Sequence, residues 1–88
     1  NEKAYSDYEK ADLEMTKLYK KVMSNLQTPE EKNLLLTAQR AWIKYKEAHC
    51  NAIANQYEGG SIKPLFLYGC LEEITNERIK QLNNYINN

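Results

Sequence analysis

Two short interruptions do most to limit what this chain can become. Its 88 residues include only two prolines and three glycines. Pro29 stands alone, while Gly59, Gly60, Pro64 and Gly69 lie close together. Elsewhere apolar residues recur every three or four positions, and no run alternates with the two-residue period of a strand. The breaks therefore divide the chain into three helical segments.

The first segment spans about Ala4 to Leu26, with Tyr8, Ala11, Met15, Leu18, Tyr19, Val22 and Leu26 on one face. Lys10, Lys17, Lys20 and Lys21 mostly lie away from it. In the stretch QTPEE, Thr28 suits the N-cap, Pro29 the first helical position, and Glu31 completes a capping box. Glu30 and Glu31 also favour the positive end of the helix dipole, which accounts for them better than an acid/base dyad does. The second helix then runs to Gln56 or Tyr57. Its stripe is Leu35, Ala38, Trp42, Tyr45, His49 and Ile53, with Arg40, Lys44, Glu47, Asn51 and Asn55 opposite. Gly59-Gly60 ends it.

Ser61 is suited to cap the third helix, with Pro64 in its first turn. Leu71, Ile74, Leu82 and Tyr85 form one stripe, but Ile62, Leu65 and Phe66 point about half a turn away. That phase shift predicts a bend or break near Gly69, with segments of 62–68 and 70–86. The Asn-rich end (Asn83, Asn84, Asn87, Asn88) is expected to fray. The expected fold is all-α, a single domain over residues 1–88: a small three-helix bundle with a jointed third helix, cross-linked by one disulfide.

The disulfide follows from the hairpin. If the second and third helices fold back antiparallel across Gly59-Gly60, Cys50 and Cys70 lie about equally far from the turn and can bridge. The alternative is two buried free thiols. A core this small leaves much to a cross-link. A metal site is not expected: His49 and Cys50 are adjacent on a helix, so their side chains diverge by about 100°. The spacing is not CxxC, so a thioredoxin-like role has no support.

Charge narrows the partners. Twelve basic residues balance twelve acidic ones, mixed along the chain. No basic stripe or acidic tail is present, which disfavours nucleic acid and anionic membranes as partners. No apolar run approaches the roughly 18 residues of a membrane span. Seven tyrosines stand against one Trp and one Phe; tyrosine serves half-buried positions and binding surfaces equally.

No catalytic residue and no cofactor is assigned. His49 reads as a hydrogen-bonded interfacial histidine, and Ser61 lacks a GxSxG elbow. Walker, Rossmann and HExxH patterns do not occur. Glu72 and Glu73 are helix neighbours facing different ways. Arg78 falls inside an apolar stripe, where an unpaired charge is costly. Asp12 or Glu14 of the first helix is its expected acceptor, and Thr75, Gln39 and Lys46 are expected to share the same polar network. Alternatively, part of that network is exposed and contacts a partner.

The stretches AQRAWIKYKEAHC (38–50) and GGSIKPLFLYGCLEEITNERIKQL (59–82) resemble the LprI-type bacterial domain. The pattern is Q-x-x-W-x-x-Y-[RK]-x-x-x-C, a GGS turn, then C-L-x-x-x-T-x-x-R-x-x-x-L. Its positions are Gln39, Trp42, Tyr45, Lys46, Cys50, Gly59, Gly60, Ser61, Cys70, Leu71, Thr75, Arg78 and Leu82. Upstream, ADLEMTKLYKK (11–21) is similar to the family's aD-x-x-L-N-x-x-Y-k stretch, with Met15-Thr16 in place of Leu-Asn. The extra early cysteines of many members are absent.

The resemblance implies a bacterial protein that is periplasmic, secreted or lipid-anchored, and inhibition of lysozyme, a muramidase. A lysozyme cleft holds a pair of catalytic carboxylates. The turn from Tyr57 to Lys63 is the element expected to reach such a cleft, with Ser61 and Lys63 as donors and Tyr57 as an aromatic anchor. The plainer reading is that the turn merely joins two helices. A narrower form of the inhibitor is an immunity protein against one cell-wall-degrading toxin. The competing class is an envelope structural or adaptor module without inhibitory activity, which a broad exposed apolar patch on the first helix would favour. An enzyme would need His49 exposed in a cleft beside a carboxylate.

Overall fold

A computed structural model describes residues 2–87 as three helices, α1 (Glu2–Asn25), α2 (Pro29–Asn55) and α3 (Lys63–Asn87). They run up, down and up, so α1 and α3 are parallel and α2 opposes both. α3 packs on both neighbours, more extensively on α1. The bundle is elongated, 48 × 21 × 16 Å. Its radius of gyration is 14.8 Å, where a compact chain of this length would have about 12 Å.

The boundary between α1 and α2 forms as its sequence dictates. Thr28 is extended (φ −118°, ψ 152°) and its Oγ1 accepts from the Glu31 N–H at 3.1 Å. The Glu31 carboxylate in turn accepts from the Thr28 N–H at 3.0 Å. The capping box satisfies two of the N–H groups that a helix start leaves without a partner. Thr28→Ala is expected to cost about 1 kcal/mol, seen as a fall in Tm of roughly 4–8 °C in a thermal melt.

At the other end of the hairpin the two glycines have separate reasons. Gly59 has φ +82°, in the left-handed region. At Gly60 a Cβ would sit 3.2 Å from the Tyr57 carbonyl oxygen, which the Gly60 N–H itself bonds at 3.0 Å. Ser61 does not cap α3. The first helical bond runs from the Phe66 N–H to the Ile62 carbonyl, one residue further on.

The third helix corrects the expected joint. α3 is a single helix from Lys63 to Asn87, uninterrupted at Gly69. It also includes Asn83, Asn84 and Asn87, while Asn88 lies outside the described residues. The phase shift of Leu65 and Phe66 reflects a second face, not a break.

The core is unevenly distributed. Met15, Val22, Leu35 and Leu82 form its centre, with Leu18, Met23, Leu26, Trp42, Ile79 and Ile86 packed around it, toward the α1–α2 turn. Toward the α2–α3 turn most of the buried side chains are smaller, Ala11, Cys50 and Ala54, with Leu71 the exception. There Cys50 and Cys70 form a disulfide with Cα atoms 5.6 Å apart, within the usual range. Nearby, Tyr5 meets Tyr68 edge-on at 5.1 Å and Tyr8 stacks on Tyr68 at 6.3 Å. Tyrosines and a covalent bridge hold the end where aliphatic bulk runs out.

Candidate functional site

Three features compete as the site: a buried polar layer, the turn at the apex, and a groove between α2 and α3. The polar layer is built on residues of α2 that share one face. Gln39, Lys46 and Cys50 are buried, so the inward stripe is Leu35, Gln39, Lys46, Cys50 and Ala54. The apolar stripe expected to face inward lies one residue back at most positions, about 100° around the helix. Ala38, Tyr45 and His49 are exposed.

Two cations flank the Trp42 indole within this layer. Lys46 is 5% exposed, with Nζ 4.8 Å from the ring centroid. Arg78 is 8% exposed, with Cζ at 6.0 Å. Lys46 Nζ also donates to Tyr8 Oη at 3.0 Å. Arg78 Nε donates to Gln39 Oε1 at 3.0 Å, and its Nη1 to Gln81 Oε1 at 3.1 Å. Gln39 Nε2 donates to Met15 Sδ at 3.1 Å.

Among the described residues neither Asp12 nor Glu14 pairs with Arg78, so that expected acceptor is corrected: neutral amides and an aromatic face take its place. A ring quadrupole attracts a cation without bringing in a second charge that must be desolvated. Burial lowers the Arg78 pKa, although arginine keeps its proton. Thr75 is fully buried, and its hydroxyl bonds to neither Gln39 nor Arg78. Asp12 lies outside the layer, half-buried beside Thr16 on the flank of α1.

At the apex, Tyr57 stacks face to face on Phe66 with centroids 3.8 Å apart. Lys63 is paired with Glu58 across the turn. Ser61 is exposed. The turn is thus braced by a ring stack, an ion pair and the disulfide a few residues below. The structure brings Tyr57, Ser61 and Lys63 onto one end of the molecule, with Lys63 already engaged.

The groove was not singled out by sequence reasoning. Its upper part, about 490 Å³, is lined by His49, Ile53, Leu65, Phe66, Gly69, Cys70, Glu73 and Ile74. Its lower part, about 240 Å³, is shared by Trp42, Tyr45, Glu73, Ile74, Glu77, Arg78 and Gln81. Glu73 and Ile74 line both, so the two parts adjoin. His49 is exposed and stacks on Tyr45 at 5.4 Å rather than bonding across an interface. It shares the upper groove with Glu73, yet that lining contains no serine, threonine or free thiol, since Cys70 is bridged. Among the described residues no group of three or more His, Cys, Asp or Glu side chains is placed to hold a metal ion. No helix among them is long and apolar enough to cross a membrane.

The family model described as "Lysozyme inhibitor LprI" matches residues 1–82. The chain belongs to the LprI family. This LprI domain is 33% identical over 91 aligned positions to an uncharacterized protein of Rhizobium meliloti (strain 1021). The match covers 90% of this chain and 66% of that protein, so the domain spans a little under two thirds of its relative. No solved structure shows a significant match. The Cys50–Cys70 bridge of this LprI domain fits an oxidising compartment outside the cytoplasm.

Proposed function

We propose that this protein is a periplasmic or secreted bacterial binding protein that inhibits a lysozyme or another peptidoglycan hydrolase. The observation that carries this reading is the match to the lysozyme-inhibitor family across residues 1–82, which takes in α1, α2, the apex and α3 as far as Leu82. A rigid apex is suited to the task, because a turn that is already ordered loses little conformational entropy on docking. Tyr57, Ser61 and Lys63 are the proposed contacts. A target carboxylate would compete with Glu58 for Lys63, and Ser61 would donate from the tip. A narrower form is an immunity protein that binds one cognate cell-wall-degrading toxin and ignores generic lysozymes. The adaptor reading has less support, since the large apolar residues exposed on α1 are only Tyr5 and Leu13.

Binding of the oxidised protein to a panel of lysozymes and neighbouring cell-wall hydrolases, followed by calorimetry, tests the apex. Ser61→Trp and Lys63→Glu are each expected to weaken the complex at least tenfold while leaving Tm within a few degrees. Unchanged affinity in both variants would remove the apex from the interface.

A further inference from the structure

We propose that the α2/α3 groove receives a basic segment with an apolar centre, contributed by the target protein. The inference deepens the inhibitory reading and rests on it for the partner's identity. The first support is an inversion on α2. That helix buries Gln39 and Lys46 while turning Tyr45, His49 and Ile53 toward an open groove. A helix that served only its own core would do the reverse. Across the groove α3 leaves Leu65 43% and Phe66 37% exposed, and apolar surface gathered in a groove marks an interaction site.

The second support is charge. Glu73 lies in the groove with no ion-pair partner among the described residues. Glu77 lies beside it and is matched only by Lys80 at 3.2 Å. Of the cations of this region, Lys46 is buried beneath and held by Tyr8 and Trp42, while Arg78 lines the lower part but is only 8% exposed, held by Gln39, Gln81 and Trp42 with its Nη2 left without a hydrogen-bond partner. The surface offered to a partner is therefore acidic at the rim and apolar on the floor, complementary to lysine or arginine flanking aliphatic or aromatic side chains. A second copy of the chain fits less well, because a two-fold contact centred here would bring each Glu73 toward its mate.

The third support is Gly69. It sits inside α3, where glycine is a poor helix former, yet a Cβ there would meet nothing within 4 Å. Packing does not require it. The missing side chain keeps the upper groove open. Phe66 also joins the groove to the apex through its stack on Tyr57, so one partner can cover both.

The test is a nitrogen-15 NMR titration of the oxidised protein with three probes. These are a synthetic peptide with lysines around a Leu-Phe-Leu centre, the same peptide with each lysine replaced by glutamate, and chitotetraose. The basic peptide is expected to shift Tyr45, His49, Phe66, Gly69 and Ile74. Gly69→Leu, which fills the groove, and Glu73→Lys, which reverses its rim, should each weaken that binding at least tenfold. Gly69→Leu should melt no lower than the parent, separating loss of binding from loss of fold. The proposal is overturned if the groove residues stay unshifted, if the acidic peptide or the sugar occupies the groove instead, if the groove closes by self-association, or if Gly69→Leu binds like the parent.

The same variants in a hydrolase inhibition assay keep the two readings apart. If the parent inhibits a hydrolase and both groove variants inhibit equally, the groove proposal fails and the inhibitory function stands. If the parent inhibits nothing while the basic peptide seats in the groove, the inhibitory function fails and the groove stands.

Discussion

Replacing both cysteines by serine is expected to destabilise the protein by about 3 kcal/mol, the chain-entropy value for a loop of this length. The bridge spans 20 positions of sequence. At roughly 4–8 °C per kcal/mol for a domain of this size, Tm should fall by roughly 12–24 °C. The effect should also be local. The bulky core cluster lies toward the α1–α2 turn, whereas the buried residues near the bridge are mostly small. Hydrogen exchange should therefore open the end of α2 and the apex before it reaches Val22 and Leu82. Urea unfolding of the Cys50→Ser/Cys70→Ser variant against the oxidised parent measures the whole effect. A loss below about 1 kcal/mol, well short of the loop-closure value, would show that aromatic packing alone holds the apex.

Gln39→Leu is expected to be the most costly single change in the polar layer, at roughly 2–3 kcal/mol, because it removes the buried acceptor of a charged donor. Arg78 would keep its charge, its bond to Gln81 and its place against Trp42, but its Nε would lose its partner. Adding Arg78→Met should recover most of the loss, since removing both members leaves no polar atom of the pair unsatisfied. A double-mutant cycle by urea denaturation reads the coupling directly. Simple additivity of the two substitutions would contradict the role given to this pair.

The existence and order of the helices were legible because their signals are local. The Thr28–Glu31 box and the Gly59-Gly60 stop depend on a few adjacent residues, and spacing from the turn was enough to pair the cysteines. The phase of the long helices was harder to read. On α2, Ala38, Tyr45 and His49 looked like part of the buried stripe with Trp42 because apolar character usually marks the inside. Here the inside holds an amide and an ammonium whose partners, Tyr8, Met15 and Arg78, lie on other helices. Those contacts leave no trace in local periodicity.

The same cause led to the expected joint in α3. A second face at Leu65 and Phe66 mimics a break when only one buried face is assumed. The acceptor of Arg78 was sought among carboxylates, and the aromatic face of Trp42 was overlooked. Two adjacent stripes offset by one residue, one holding the family's Gln, Lys and Cys, were the available sign that α2 serves both a core and a groove.

The most direct measurement is a cell-wall turbidity assay. The oxidised protein is titrated against a panel of lysozymes and any cell-wall hydrolase encoded beside it. Stoichiometric inhibition of at least one of them is the expected result, with a single susceptible neighbouring hydrolase marking an immunity protein. Undiminished lysis by every enzyme in the panel, at saturating concentrations of folded and disulfide-bonded protein, would contradict the inhibitory function.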